Sequence, residues 1–315
     1  MQKILIIGSQ GTLGQELVDI FQKDKKYKVI GWDKTDIDIT REKEVQKKVL
    51  KLKPKIILNA AAYNAVDKCE KNKNEFRLAE KVNGLAPGYL AEVAKKINAI
   101  FVHYSSDYVF GKELPQVSEP TGCTGMCATC ELHSDFNLDL GFDEKALPNP
   151  LNKYGKTKLK GEKEVQKKGK KYYIIRLSRL FGNSAISKKS KKSFFDIMLE
   201  MSKKNNEIKV VDEEISCFTY APDLAQKTKE IIETKKEFGI YHIVNQGAVT
   251  WFEAAEELFL IAGSDKKIKA VDADEFFRLA KRPYISTLLN TKLEPLRNYQ
   301  DALKEYLEKT GVLKN

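Results

Sequence analysis

The sequence has no long apolar run and few cysteines. Its N-terminal stretch, MQKILIIGSQ, holds only four consecutive apolar residues before the first glycine, which fits a buried strand and is too short for the core of a signal peptide. No other stretch approaches the roughly 18–20 apolar residues that a membrane helix needs. The chain of 315 residues has five cysteines. We therefore expect a cytoplasmic protein with reduced thiols and no membrane partner.

Arginine is also scarce, although the chain is strongly basic. The net charge is +11, and only seven of the 55 basic residues are arginines. The densest basic run, SKKSKKS at 187–193, contains no aromatic residue. Proteins that read nucleic acid favour arginine forks and stacking rings, so we expect a lysine-rich solvated surface and no nucleic-acid partner. The charge remains compatible with attraction of small phosphate-bearing ligands.

Short apolar runs alternate with amphipathic segments through the first half of the chain. Buried strands are predicted at 3–8, 27–32, 55–61, 99–106 and 171–182. Helices are predicted at 14–24, at 81–98, from about 152, at 251–263 and at 301–311, where apolar residues recur at three- and four-residue spacing. The alternation predicts an α/β fold with a doubly wound parallel sheet.

Three glycines lie directly between the first predicted strand and the first predicted helix. In IIGSQGTLG, Gly8, Gly11 and Gly14 permit a tight turn and let the backbone approach a pyrophosphate at the helix N-terminus. Asp33 ends the second strand, where a carboxylate accepts hydrogen bonds from an adenosine ribose. This acid would repel a 2′-phosphate and favour NAD(H), a preference that Lys34 would weaken. We predict a Rossmann-type site for NAD(H) or NADP(H), although glycines that serve packing alone give the same pattern.

Tyr154 and Lys158 are four residues apart in KYGKTK, which places them on one helix face. An ammonium beside a phenol stabilises the phenolate and lowers its pKa. Such a tyrosine donates a proton to a carbonyl oxygen while a hydride adds to the carbon. Ser106 follows the fourth strand at the sheet edge where ligands bind, and it can hydrogen-bond the same oxygen. A Tyr-x-x-x-Lys pair by itself is also an ordinary helix surface pair, but together these residues predict a reductase site.

Six stretches make the chain resemble the extended short-chain dehydrogenase/reductases, and among them the dTDP-4-dehydrorhamnose reductase family. They are GSQGTLGQEL, ILNAAAYNAVDKCE, HYSSDYVF, PLNKYGKTKLKGE, GIYHIVNQGAVTW and AKRPYISTLLNTKL. The resemblance implies a catalytic triad of Ser106, Tyr154 and Lys158 that reduces a 4-keto nucleotide-sugar, the last step in making an activated deoxysugar. It also implies a set of cofactor-binding residues: Gly8, Gly11, Thr12, Leu13, Gly14, Asp33, Asp38, Ile39, Ala60, Ala61, Ala62, Tyr154 and Lys158.

From the strand and helix pattern and from this resemblance, we expect the chain to have two parts. Residues 1–187 would form the NAD(P)-binding Rossmann domain. Residues 188–315 would form a smaller substrate-binding lobe that is interleaved with the first domain. The partner would be a small nucleotide-sugar, and the oligomeric state is left open, with a homodimer as one alternative.

Two departures from the family leave the substrate open. In DEEISCFTYAPDL, residues 216–219 read Ser-Cys-Phe-Thr, where the family usually has Gly-x-Pro-Thr, and Arg179 stands where an aromatic residue is common. One alternative is therefore an epimerase or dehydratase of the same superfamily. A second is a non-catalytic regulatory subunit, like the beta subunit of methionine adenosyltransferase, which resembles these reductases.

Three of the five cysteines are crowded into eight positions of a predicted insertion at about 112–147. Their C-x3-C-x2-C spacing suits an iron–sulfur cluster or, with a fourth ligand, zinc. The predicted metal ligands are Cys123, Cys127 and Cys130, with His133 or Cys217 as the fourth. Reduced, unliganded thiols in a variable loop are the alternative.

Overall fold

The computed structural model describes residues 1–111, 141–186 and 191–313. Its strands are β1 (Gln2–Ile7), β2 (Tyr27–Trp32), β3 (Ile56–Asn59), β4 (Ile100–Tyr104), β5 (Tyr172–Arg176), β6 (Leu180–Phe181), β7 (Glu207–Val211), β8 (Ser216–Cys217), β9 (Thr219–Tyr220), β10 (Gly239–His242), β11 (Ala248–Val249) and β12 (Lys267–Val271). Its α-helices are α1 (Thr12–Gln22), α2 (Glu42–Leu52), α3 (Val66–Lys71), α4 (Lys73–Ala79), α5 (Ala86–Lys96), α6 (Lys153–Lys168), α7 (Phe194–Ser202), α8 (Ala221–Glu233), α9 (Trp251–Ile261) and α10 (Tyr299–Lys309). A π-helical turn, Glu80–Leu85, joins α4 to α5.

A six-stranded sheet with the order β10-β5-β4-β3-β1-β2 forms the centre of the fold. Every pairing in it is parallel, so the predicted doubly wound parallel sheet is confirmed. The strand order reverses at β1, and such a reversal opens a crevice at the carboxyl ends of the strands. Ile7 pairs with Trp32 on one side and with Asn59 on the other. The segments that follow β1, β2 and β3 therefore emerge together at this edge.

Two apolar layers cover the two faces of this sheet, because side chains along a strand point alternately to opposite faces. Ile4 and Ile6 of β1 pack on one face in a cluster with residues of α1 and α8. Leu5 and Ile7 pack on the other face with residues of α2 and α5. This four-residue apolar run is buried on both faces, as expected of a strand inside a parallel sheet.

The C-terminal part of the chain builds a second apolar core but also returns to the first. Phe195 of α7, Phe218 and Leu258 of α9 belong to this second core. In contrast, β10 extends the central sheet beside β5, and α8 contributes Leu224 to the first core. The domain boundary between 187 and 188 stays a prediction. Within the described ranges, no helix is long and apolar enough to cross a membrane.

The predicted strand at 171–182 is divided in the structure. The strand β5 ends at Arg176, and β6 pairs outside the central sheet with β9. Between them, Arg179 has a left-handed backbone with φ 38°, and its guanidinium lies 3.7 Å from the ring centroid of Trp251. The apolar pattern of the run did not reveal this turn, because the residues that hold Arg179 are distant in sequence.

Candidate active site

The glycine turn between β1 and α1 has room for backbone but not for side chains. Gly8 has φ +80°, and a β-carbon there would lie 2.8 Å from the backbone nitrogen of Ala61. A β-carbon on Gly14 would lie 2.0 Å from the carbonyl oxygen of Gly8. The turn therefore packs directly on α1 and on the loop that follows β3, which is the close helix–strand packing that glycines permit.

The N-terminus of α1 offers free backbone donors at this turn. Its N-cap residue is Gly11, no side chain of the described residues caps it, and its first turn holds no acidic residue. The first amide groups of a helix lack intrahelical acceptors and carry partial positive charge. The amides of Thr12 and Leu13 can therefore bind a phosphate group. These features fit the pyrophosphate of a dinucleotide.

Asp33 lies at the rim of the glycine turn. Its carboxylate accepts hydrogen bonds from the Ser9 hydroxyl at 2.5 Å and from the Gln10 amide at 3.1 Å. These hydrogen bonds fix the Asp33 carboxylate beside the turn, where it can accept a hydrogen bond from a ribose hydroxyl.

Of the remaining predicted cofactor residues, some lie at the crevice and others have side chains engaged elsewhere. Ala60, Ala61 and Ala62 follow β3, and Ala61 lies against Gly8. Asp38 instead faces its own loop, where it accepts hydrogen bonds from the Thr40 amide at 3.0 Å and the Thr40 hydroxyl at 2.7 Å. The hydroxyl bond is the main reason why the pKa of Asp38 is lowered. Ile39 buries its side chain in the core, so only its backbone is left for a cofactor.

Tyr154 lies in the first turn of α6 and is buried. Its ring contacts that of Tyr108 edge to face, with centroids 5.7 Å apart. Burial raises the pKa of the Tyr154 phenol, and the carboxylate of Asp107 raises it further. The nearby Ser106 hydroxyl lowers this pKa. Two of the predicted triad residues, Ser106 and Tyr154, therefore lie close together.

Lys158 lies one helical turn beyond Tyr154 and is also buried. Its ammonium group donates a hydrogen bond to the carbonyl oxygen of Tyr104 at 2.6 Å, two residues before Ser106. Burial lowers the pKa of Lys158 to about 8, while the charge of Glu162 raises it. Ser106 just after β4 therefore lies beside the helix α6, which carries Tyr154 and Lys158.

The position of α6 follows from its N-cap and its glycines. Asn152 accepts a hydrogen bond from the Gly155 amide at 2.8 Å and donates one to the Lys281 carbonyl at 2.9 Å. A β-carbon on Gly155 would lie 2.1 Å from the carbonyl oxygen of Tyr108. Glycine at this position lets the helix touch the backbone that follows Ser106. The helix predicted to begin near 152 is confirmed.

Asn83 links the loop after β3 to α6, the helix that carries Tyr154 and Lys158. The sequence alone did not reveal this role. Its amide group binds both the backbone nitrogen and the backbone oxygen of Tyr63, at 2.8 and 2.9 Å. It also donates to the Thr157 hydroxyl at 3.2 Å. Asn83 lies in the π-helical turn, and such turns are frequent at functional sites. Its sequence context, KVNGLAP, carries no signal of this role.

A buried ion pair lies beneath the site. Arg176 donates to both carboxylate oxygens of Glu162, at 3.0 and 2.7 Å, and both side chains are 2% exposed. The Ser105 hydroxyl donates to the same carboxylate at 2.5 Å. The pair thereby ties α6 to β5 and to the residue beside Ser106.

Asp107, next to Ser106, is buried among hydroxyl groups. Ser178 and Ser286 each donate to its Oδ2 atom at 2.8 Å. Ser216 donates to the same oxygen at 3.2 Å, and Ser106 donates to Oδ1 at 2.8 Å. We call this group the Asp107 cluster. The cluster could not be read from the sequence because three of the serines come from distant segments, although Asp107 itself stands in the stretch HYSSDYVF.

The predicted metal ligands Cys123, Cys127, Cys130 and His133 lie outside the described residues. The remaining candidate, Cys217, is buried in an apolar cluster and donates a weak hydrogen bond to the Leu288 carbonyl at 3.8 Å. Burial raises the pKa of this thiol to about 11, which disfavours the thiolate that binds metals. Within 1–111, 141–186 and 191–313, no group of three or more His, Cys, Asp or Glu residues could hold a metal ion.

The chain is similar to known proteins along nearly its whole length. The family model described as RmlD substrate binding domain matches residues 1–312. The chain is 30% identical over 312 residues to the spore coat polysaccharide biosynthesis protein SpsK of Bacillus subtilis (strain 168), with 98% of each chain covered.

Two solved structures named dTDP-4-dehydrorhamnose reductase are also similar. The protein from Clostridium acetobutylicum ATCC 824 has a TM-score of 0.84 and 33% identity, covering 98% of this chain and 100% of that chain. The protein from Bacillus anthracis str. Ames, solved in complex with NADP, has a TM-score of 0.83 and 29% identity, with the same coverage. The resemblance predicted from the sequence is confirmed. Because the family model covers nearly the whole chain, this protein belongs to the RmlD substrate binding domain family.

Proposed function

We propose that the protein is an NAD(P)H-dependent reductase of a 4-keto nucleotide-sugar, of the dTDP-4-dehydrorhamnose reductase type. One observation carries the proposal: Ser106, Tyr154 and Lys158 meet at the carboxyl edge of a sheet whose glycine turn fits a dinucleotide. The names of the similar proteins support this substrate class. A reaction in the pathway to dTDP-rhamnose follows as part of the proposal.

The proposed roles follow from the environment of each side chain. A bound reduced nicotinamide would supply the hydride for the carbonyl carbon. Tyr154 gives its phenolic proton to the carbonyl oxygen, and its raised pKa keeps that proton in place until the oxygen becomes basic. The ammonium of Lys158 stabilises the phenolate that results. Ser106 hydrogen-bonds the reacting oxygen, which places it beside the Tyr154 hydroxyl.

Replacement of Tyr154 by phenylalanine tests these roles. The variant removes the proton donor but keeps the ring that packs against Tyr108. General acid catalysis contributes roughly 10²- to 10⁴-fold, so we expect kcat for keto-sugar reduction to fall by about that factor. The affinity for NAD(P)H, measured by fluorescence titration, should stay unchanged.

Tyr89→Phe provides a matched control, because Tyr89 lies on α5 with Lys168 over its ring. It should keep the activity of the unaltered protein. A Tyr154→Phe variant with full turnover would refute the proposed mechanism.

The coenzyme is proposed to be NADH or NADPH. The carboxylate of Asp33 at the rim of the turn supports NADH, while the similar protein from Bacillus anthracis was solved with NADP. A cytoplasmic location is part of the proposal and rests on the sequence alone. The oligomeric state stays open, with a homodimer as one alternative.

Metal binding by Cys123, Cys127 and Cys130, as zinc or as an iron–sulfur cluster, also stays a prediction from spacing. Nothing in the described residues or in the comparisons supports it. Zinc, iron and sulfide analysis of anaerobically purified protein would test it, and absence of all three would leave ordinary reduced thiols.

A further inference from the structure

We propose that Glu70 is a positioning residue: from α3, its carboxylate binds the backbone amide of Lys153 at the start of α6 and thereby fixes the place of Tyr154, the next residue. The effect on turnover rests on the proposed function. The contact between Glu70 and the helix is independent of that function and can be measured without substrate.

The backbone amide that begins α6 finds its acceptor on another helix. The first amides of a helix have no acceptor within the helix itself. Lys153 is the first residue of α6, and its amide donates a hydrogen bond to Oε1 of Glu70 at 2.7 Å. The first turn of α6 holds no acidic residue of its own. Glu70 therefore supplies the negative charge that the helix dipole favours at this end.

The amide of Lys153, more than its ammonium group, fixes the helix. Oε2 of Glu70 also pairs with the ammonium at 3.1 Å, but the Lys153 side chain is 42% exposed, and ion pairs at the surface contribute little. The ammonium is carried by a flexible side chain, whereas the amide belongs to the backbone of α6. The hydrogen bond to the amide therefore determines where the helix begins.

Tyr154 lies between two residues whose amides are bound by side chains. Before it, the Lys153 amide is bound by Glu70. After it, the Gly155 amide donates to the Asn152 side chain at 2.8 Å. The ring of Tyr154 itself packs edge to face on Tyr108. A shift of this first turn would move the phenol away from its place beside Ser106.

A second connection runs from α3 to the same turn through the C-terminal part of the chain. Asp67, three residues before Glu70, accepts a hydrogen bond from the first amide of segment 280–282 at 3.0 Å and one from the guanidinium at its end at 2.7 Å. The middle carbonyl of this segment accepts a hydrogen bond from Asn152 at 2.9 Å. This connection does not involve Glu70, so α6 should still form in a Glu70 variant, with a looser start.

The consequence for the proposed reaction concerns the proton transfer. The phenol of Tyr154 must lie within reach of the carbonyl oxygen while the hydride adds, and a misplacement of about 1 Å can cost about 100-fold in rate. The glycine turn for the coenzyme lies between β1 and α1, in a different segment from the contact of Glu70 with α6. Loss of this contact should therefore lower kcat and leave the affinity for NAD(P)H unchanged.

The first test measures hydrogen exchange of the Lys153 amide in the protein without substrate or coenzyme. In Glu70→Ala this amide should exchange at least about tenfold faster, because a hydrogen bond to a charged group is worth more than that factor. Glu70→Gln keeps an oxygen that accepts from the amide. Lys153→Met keeps the whole hydrogen bond and a long side chain over the ring of Phe76. Both should exchange nearly as slowly as the unaltered chain.

The second test compares turnover in the same variants. We expect kcat for keto-sugar reduction to fall roughly 10- to 100-fold in Glu70→Ala, with the KM for the sugar and the affinity for NAD(P)H unchanged. Glu70→Gln and Lys153→Met should keep most of kcat. Glu164→Ala is the matched control, because Glu164 pairs with Lys168 on the same helix, away from its start. It should change neither turnover nor the exchange of the Lys153 amide.

The outcomes separate this proposal from the proposed function. Unchanged exchange of the Lys153 amide in Glu70→Ala would overturn the contact, and faster exchange with full kcat would overturn the positioning of Tyr154. An equal loss of kcat in Glu70→Gln and Lys153→Met would also overturn it, because the ion pair would then be the effective contact. If Glu70→Ala does not fold, Glu70→Leu removes the acceptor and serves in the same comparison. An unaltered chain that reduces no keto-sugar would refute the proposed function, while the exchange measurement would still decide whether Glu70 fixes the helix.

Discussion

At the scale of the residue, the site depends on the protonation of two buried side chains of α6. Burial raises the pKa of the Tyr154 phenol, whereas it lowers the pKa of Lys158 to about 8. At neutral pH the phenol is therefore protonated and most of the lysine is charged. This combination suits a proton donor whose conjugate base is stabilised by a neighbouring cation.

The lowered pKa of Lys158 predicts a pH dependence. As the pH rises through about 8, Lys158 loses its proton and with it the charge that we propose stabilises the Tyr154 phenolate. We expect kcat/KM for reduction, which reports groups of the free enzyme, to fall above this pH. A kinetic profile in overlapping buffers measures the effect.

Lys160→Met is a suitable comparison, because Lys160 lies on the same helix but pairs with Glu80 at the surface. It should keep the same profile, while Lys158→Met should lose most of the activity at every pH. A profile that stays flat well above pH 8 would contradict the proposed role of Lys158.

At the scale of the element, short apolar runs predicted the first four strands well, because buried parallel strands leave a near-continuous apolar signal. The helix α2 and the strand β10 were missed. The sequence of α2, EKEVQKKVLKL, is rich in lysine and buries little more than Val45 and Val49. The strand β10 has four residues, and its place beside β5 depends on pairing across a long stretch of chain.

The close contact between the glycine turn and α1 gives a prediction about cofactor binding. In Gly14→Ala, the new β-carbon would lie 2.0 Å from the Gly8 carbonyl oxygen, so α1 has to move away from the turn. We expect the dissociation constant for NAD(P)H, measured by fluorescence or calorimetry, to rise at least about tenfold, which corresponds to about 1.4 kcal/mol.

Gly84→Ala is the matched control for this variant. The three atoms nearest to its β-carbon all belong to the flexible side chain of Lys160, the closest at 3.1 Å, so cofactor affinity should be retained. Unchanged cofactor affinity in Gly14→Ala would contradict the assignment of this turn to the dinucleotide.

At the scale of the whole molecule, buried polar groups join segments that are far apart in sequence. The Asp107 cluster gathers serines from positions 178, 216 and 286, and Arg176 reaches both Glu162 and His242. Single residues of these groups carry no sequence signal, since a serine or a glutamate is common on any surface. The glycine turn and the pair of Tyr154 and Lys158 could be predicted because their residues lie close together along the chain. Ser106 could be predicted because it follows a strand and stands in a stretch that resembles the family, whereas the distant supports could not.

Removing one partner of the buried ion pair should have a large effect on the free energy of unfolding. Arg176→Met leaves the Glu162 carboxylate buried without its cation, and removal of one partner of such a pair costs about 3–5 kcal/mol. Urea unfolding should show a loss of this size in the free energy of unfolding. The double variant Arg176→Met/Glu162→Leu removes both charges and should recover much of it. A single variant as stable as the unaltered chain would contradict the role assigned to this pair.

The central claim is that the protein reduces a 4-keto nucleotide-sugar with NAD(P)H at the site of Ser106, Tyr154 and Lys158. The most direct measurement follows absorbance at the nicotinamide band while dTDP-4-dehydrorhamnose is added to the protein with NADH and, separately, with NADPH. We expect consumption of one coenzyme per keto-sugar, with the alcohol as product, and loss of this reaction in Tyr154→Phe. No consumption of either coenzyme with this or related keto-sugar nucleotides, by protein that binds the coenzyme, would contradict it.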